Sequence, residues 1–291
     1  MAKAKASTNK ASPEAATTRA AVSGAQSVRR ALAVLRLVAT GQEAGVRLVD
    51  IAEMSRLSRP TVHRLLKVLM SETAVEQDPQ TRRYRVGPEL SLLGLARGGR
   101  FAIRAIAEPY LQALASEVGD TVFLSVRHGA DSVCIGRYVG SHQIQVLSIE
   151  VGARRPLGAS VSGLILLAGM EPKEAKTITQ ANATRLALLA RSPAQVLREV
   201  AAAREQGHIA APAGVMPGTS ALAVPVRDAE GRVLAAISVA ALADRLERRR
   251  WPAVLAQMQQ QARHITRRHG EVDRARSRIR GSDPDHGPSH D

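Results

Sequence analysis

At 291 residues and a formal net charge of +15, the chain is long enough for two domains and basic enough to seek an anionic partner. Nucleic acid ranks first and a membrane surface second, although an arginine- and alanine-rich composition also tracks genome base content. Aromatic residues make up only 2% of the chain, too few to build the stacking platforms of single-stranded nucleic-acid binders, so duplex DNA is the better-suited partner.

Residues 1–24 mix Ala, Lys, Ser and Thr with few large apolar groups and predict a disordered basic arm. Ser27 to Thr40 predicts a helix with Val28, Leu32, Leu35 and Val38 at core spacing, stopped by Gly41. Leu48 to Ser55 predicts a second, with Leu48, Ile51 and Ala52 on one face. After Arg56 and Leu57, Ser58 is placed as an N-cap and Pro60 suits a first turn. The third helix, to Met70, would bury Val62, Leu65, Leu66 and Leu69 while Arg59, Thr61, His63, Arg64 and Lys67 occupy other faces. Periodicity alone also fits an ordinary solvated helical hairpin.

Ala74 to Val86 predicts a β-hairpin turning at Asp78-Pro79-Gln80-Thr81, with Arg82, Arg83 and Arg85 clustered on or after the turn. A basic hairpin directly behind two such helices is a wing, able to touch the DNA backbone or minor groove. Three helices and a wing make a unit of about 60 residues, a size that folds alone, and the combination favours DNA binding.

A short helix, Glu89 to Ala96, follows Gly87-Pro88, offers Leu90, Leu93 and Leu95, and ends at Gly98-Gly99; it is read as a linker spanning 88–102. The second domain, 103–270, opens with a helix at 104–118 and strands at Thr121–Arg127, Ser132–Val139 and Ile144–Glu150. Helices are expected at Ser160–Ala168, Pro172–Asn182 and Pro193–Gln206, then a hairpin of Ser220–Val226 and Val233–Ala241 turning at Asp228–Gly231. A last helix, Pro252–His269, precedes a disordered tail at 271–291. Strand hairpins around a helical middle predict an α+β domain with an antiparallel sheet and flanking helices.

Residues 25–87 resemble the winged helix-turn-helix of the IclR family of bacterial transcription regulators. The matching strings are Ser27-Val28-Arg29-Arg30-Ala31-Leu32, Asp50-Ile51-Ala52, Ser58 through Leu66, and Tyr84-Arg85-Val86-Gly87. The likeness continues through Val151 to Leu157, Arg204 to His208, Pro217-Gly218, Ala223 to Asp228, and Ala235 to Val239 with Arg245. It implies a C-terminal effector-binding domain similar to GAF and PAS sensor modules. This chain departs from the commonest pattern: Gly158 stands where a histidine is frequent, Leu164 where a lysine is, and Ala221 where a cysteine is. The Arg-Arg-Pro-Leu-Gly loop reads as a distinct subgroup.

The expected function is a ligand-responsive regulator, a repressor, that binds a palindromic operator as a homodimer or dimer of dimers. Arg59, Pro60, Thr61 and His63 would meet bases; Arg64, Lys67, Arg82 and Arg83 would grip phosphate. Free N–H groups at the start of the apolar helix after Pro156 favour a small organic acid, although a tightly packed helix start explains the same string. The resemblance tips the reading toward a pocket, with Gly158, Ala159, Ser160, Ser162, Ser220 and Ser238 as candidate effector contacts. His128, Asp131, Cys134 and His142 match no standard zinc spacing, so no metal and no cofactor is expected. One alternative is an enzyme or non-catalytic sensor acting on a small carboxylate, though no nucleophile motif or phosphate loop supports catalysis, and the other is a non-specific DNA binder. The run Arg245 to Arg250 reads as a solvated helix start. A lone cysteine, the lack of an apolar leader segment and apolar runs too short for a span point to the cytoplasm and away from a membrane.

Overall fold

The computed structural model describes residues 13–41, 44–95, 102–147, 149–211 and 216–281. Residues 1–12 of the expected arm, the Gly98-Gly99 stop and residues 282–291 of the expected tail lie outside them. The chain divides into two compact units at Arg97 and Gly98.

The first unit holds α1 (Pro13–Thr40), α2 (Leu48–Ser55), α3 (Arg59–Ser71), β1 (Val75–Gln77), β2 (Tyr84–Val86) and α4 (Pro88–Leu95). The first helix starts well before the expected Ser27, so residues 13–24 are helical rather than a disordered arm. Alanine-rich sequence with Pro13 in the first turn supplies the helix propensity. Its core stripe also differs from the expectation. Val34 and Val38 are buried, whereas Val28 and Leu32 are exposed, because α2 and α3 close around the C-terminal half of α1. The rest of this core is Val46, Ile51, Ala52, Val62, Leu66, Val75 and Tyr84, and each fully buried Leu or Ile contributes roughly 1.5–3 kcal/mol. Arg56 closes α2 in the left-handed region at φ 53, which turns the chain within three residues into α3.

The second unit begins with α5 (Ala102–Val118), β3 (Thr121–His128), β4 (Asp131–Tyr138) and β5 (Arg154–Pro156). Next come α6 (Val161–Ala168), α7 (Pro172–Ala181), α8 (Ala183–Ala187) and α9 (Pro193–Gln206). The unit ends with β6 (Ile209–Ala211), β7 (Thr219–Arg227), β8 (Val233–Leu242) and α10 (Trp251–Gly281). The strands form one antiparallel sheet in the order β5-β4-β3-β8-β7-β6. Ser160 caps α6 by accepting from Gly163 N at 3.3 Å; Ser192 caps α9 at 3.2 Å, and left-handed Gly207 ends it.

Three strand assignments differ from the sequence, the short β6 beside β7 being one that was not expected. Ile144–Glu150 forms no strand among its described residues, and side-chain bonds stand where a ladder was expected: Gln145 Nε2 donates to the distant Gly119 carbonyl and to that of His142, and Ile144 N donates to His142 Nδ1. The edge is filled by β5, whose Arg155 opposes Ser132. The last helix runs past His269 to Gly281, so residues 271–281 of the expected tail are helical. Arg268 and Glu271 pair at 2.8 Å across one turn of that extension.

The sheet is paved differently on its two faces. Leu222, Val224, Val226, Ile237 and Val239 pack with Leu111 and Leu114 of α5 and with Val254, Met258 and Ile265 of α10. The opposite side presents Ala221, Ala223 and Ala236 to Leu164 and Leu167 of α6 and to Val196 and Val200 of α9. Small residues there let the apolar helix lie close to the backbone.

Candidate DNA-reading surface and effector cavity

On α3, Val62 and Leu66 point into the core while Arg59, Pro60, His63, Arg64 and Lys67 are exposed and Thr61 is half-buried. The side chains of Arg59, His63, Arg64 and Lys67 make no hydrogen bond or ion pair among the described residues. Ser58 does not cap the helix as expected. Its hydroxyl shares a 2.8 Å bond with the hydroxyl of Thr61, which fixes both at the helix start. The helix therefore presents a cationic face whose charges are not spent internally.

Asp78 organises the wing. Its Oδ1 accepts from the N–H groups of Gln80 (3.0 Å) and Thr81 (2.7 Å), and Oδ2 faces Arg85 at 3.2 Å. The bond from Thr81 N–H, with Arg85 nearby, holds its carboxyl below the usual carboxylate range. The two expected phosphate contacts part company here. Arg82, in the left-handed region at φ 56, is exposed with no partner for its guanidinium among the described residues. Arg83 instead donates from Nη1 to the carbonyl of Gly45 at 3.1 Å and braces the wing against the loop that leads into α2.

In the second unit a cavity of about 600 Å³ opens beside the N-terminus of α6, bounded by α9, β6 and Trp251. Of the expected effector contacts, Ala159 and Ser160 line it. Gly158 lies behind them at φ +97, where an added Cβ would meet Val196 Cγ1 at 2.8 Å, so both backbone and packing call for glycine. Ser162 donates to Ser238 at 3.0 Å in a buried pair between α6 and the sheet. Ser220 is not with them. It alternates with Ala221 and points with Leu222 to the α10 side, and its hydroxyl donates to the carbonyl of Ala211 at 3.2 Å.

The wall that sequence reasoning missed belongs to α9. Gln195, Glu199, Ala202 and Gln206 recur at helical spacing along the cavity, beside the buried stripe of Val196, Val200 and Ala203. Arg191 forms an ion pair with Glu199 through Nη2, while its enclosed Nε has no partner. Gln195 Nε2 donates to the other Glu199 oxygen at 3.2 Å. The spacing was visible in the sequence, but such a polar stripe looks the same on a helix that only meets water.

The residues weighed for zinc stay apart. Cys134 donates to the Gly136 carbonyl, Asp131 pairs with Arg185, His128 meets Arg154, and His142 folds back on Ile144. Among the described residues no group of three His, Cys, Asp or Glu could hold a metal. The run after Arg245 is also more than a solvated helix start. Arg245 Nε and Arg250 Nη1 grip the two oxygens of Asp120, itself only 2% exposed, at 2.8 and 2.6 Å. No helix of the described residues is long and apolar enough to cross a membrane.

Comparison with known proteins agrees with this division. Residues 27–79 match the family described as "IclR helix-turn-helix domain", and residues 99–267 match "Bacterial transcriptional regulator IclR C-terminal". The chain is 31% identical over 248 residues to the HTH-type transcriptional regulator XynR of Escherichia coli (strain K12), covering 84% of this chain and 97% of that protein. It is 31% identical to a glycerol operon regulatory protein of Streptomyces griseus, covering 76% and 86%. The fold is similar to a crystal structure of a putative IclR regulator from Silicibacter sp. TM1040 (TM-score 0.66, 25% identity, 84% of this chain and 96% of that one). It also resembles an IclR homolog of Microbacterium hydrocarbonoxydans complexed with 4-hydroxybenzoate (TM-score 0.64, 22% identity, 84% and 98%). This chain belongs to the IclR family of transcriptional regulators, with a DNA-binding helix-turn-helix domain and a C-terminal effector-binding domain.

Proposed function

We propose that the chain acts in the cytoplasm as a homodimer or dimer of dimers that reads a palindromic operator and answers a small organic acid. The observation that carries the DNA part is the α3 face: Arg59, His63, Arg64 and Lys67 stand exposed opposite Val62 and Leu66, unpaired among the described residues. In this reading Arg59, Pro60, Thr61 and His63 meet base edges, and Arg64, Lys67 and Arg82 neutralise phosphates, with Arg83 bracing the wing that carries Arg82. Exposed Val28 and Leu32 on α1, and Leu92 and Leu93 on α4, supply apolar surface for pairing subunits. The effector would lie in the cavity at the start of α6, its carboxylate near the first-turn N–H groups behind Ser160. A ligand that prefers one arrangement of the paired subunits changes DNA affinity by the same factor that DNA changes its own.

The reading assigns no catalysis. Burial pushes the Cys134 thiol up to about 11, which keeps it protonated, and no histidine bonds a serine among the described residues. The test is the Arg59→Ala, His63→Ala double variant. Preference for the operator over unrelated duplex should fall about 30-fold or more, since each of two good base contacts discriminates by ~1–3 kcal/mol. Unchanged preference in a competition assay would remove α3 from base reading and favour non-specific binding.

A further inference from the structure

We infer that the α9 wall of the cavity recognises a hydroxylated tail, so that the effector is a polyhydroxylated monocarboxylate rather than a plain or a two-headed acid. The inference rests on the proposed effector site and extends it to the far side of the same cavity.

The wall carries donors and acceptors but almost no net charge. Arg191 and Glu199 cancel one another, and Gln195 and Gln206 add neutral amides along the same stripe. A second carboxylate entering here would meet Glu199 without a spare cation to balance it. Hydroxyl groups meet no such penalty. The oxygens of Glu199 each hold one partner and retain lone pairs for incoming O–H donors. The side chain of Gln206 makes no internal hydrogen bond among the described residues and is free to turn toward a ligand.

Space and shape agree. A cavity of about 600 Å³ falls within the range of small-molecule sites and exceeds what a two- or three-carbon acid fills. Trp251 adds an apolar wall to the same cavity, its Nε1 occupied by donating to the Leu246 carbonyl. A chain with a charged head, hydroxyls along one side and C–H groups along the other satisfies all three surfaces.

The experiment is calorimetric titration of the full chain with three six-carbon probes: gluconate, hexanoate and adipate. Gluconate should bind at least about tenfold tighter than hexanoate, with adipate weakest, since each neutral hydrogen bond adds a modest net gain. Glu199→Ala should lower gluconate affinity and, by leaving Arg191 unbalanced, raise that of adipate; a merely structural pair would weaken all three acids together. Should that variant fold poorly, Gln206→Met disturbs no internal bond and should lower gluconate affinity severalfold while sparing hexanoate. Equal binding of gluconate and hexanoate overturns the inference and leaves the effector site standing. Binding of none of the three, with no effect of any on DNA release, overturns both.

Discussion

The two units use their cations differently. On α3 and at the wing tip, Arg59, Arg64, Lys67 and Arg82 stand exposed without a carboxylate partner among the described residues. In the second unit several partly buried guanidiniums are tied down: Arg245 and Arg250 to Asp120, Arg137 to Glu150, Arg191 to Glu199. A cation already neutralised by its own chain has little left to attract a phosphate, and one left unpaired releases counterions when DNA arrives. Pairing, more than total charge, therefore separates the arginines that hold this fold together from those available to a partner.

That contrast can be broken experimentally, and the largest effect belongs to the buried pair. Asp120→Ala leaves two guanidiniums facing a carboxylate-free site. Their side chains are 28% and 30% exposed, so water offsets part of the loss, which should lie near the low end of the ~3–5 kcal/mol seen for broken buried pairs. Trp251, the chain's one tryptophan, reports the transition in a urea titration; an unchanged midpoint would mean that the clamp contributes nothing.

The wing arginines make a finer test, because neighbours in sequence are assigned opposite uses. Arg83→Ala strips the Gly45 carbonyl of its donor and should cost about 1 kcal/mol of stability. Arg82→Ala should leave stability alone, weaken binding to all DNA sequences alike and reduce the salt slope by about 1. Exchanged outcomes would reverse the two assignments.

The smallest expected effect concerns Asp78. Its folded carboxyl is held below the ordinary value, so the stabilisation is full above about pH 4, near the unfolded value. It is lost as pH falls through the lower folded value. Asp78→Asn keeps an acceptor for the N–H groups of Gln80 and Thr81 but gives up the charge facing Arg85. Its stability should therefore vary less with pH on the acid side than that of the parent, and an identical acid profile in the two proteins would show that Asp78 is not what titrates.

Much of this was legible in the sequence where local chemistry decides the outcome. The turn at Asp78-Pro79-Gln80-Thr81, the α9 start at Ser192-Pro193 and the final hairpin around Asp228–Gly231 all form where their residue types ask them to. What escaped depends on partners distant in sequence. Nothing in Arg245 to Arg250 announces that Asp120 will be buried between two of its members. Ile144–Glu150 has the composition of a strand, yet Gln145 spends its amide on the carbonyls of Gly119 and His142. Ser220 was grouped with Ser238 by residue type, and a one-residue step along β7 sent it to the other face.

The uneven paving of the sheet sets how the second unit tolerates change. On the α5 and α10 side, where Leu222, Ile237 and Val239 interdigitate with Leu111 and Met258, harm comes from truncation, because a lost methyl group leaves a void. Opposite, under α6, Ala221, Ala223 and Ala236 have little to lose and no room to gain, so harm comes from enlargement, which lifts the helix off the strands. Random mutagenesis of β7 and β8 should therefore show an alternating tolerance, with neighbouring positions failing in opposite directions.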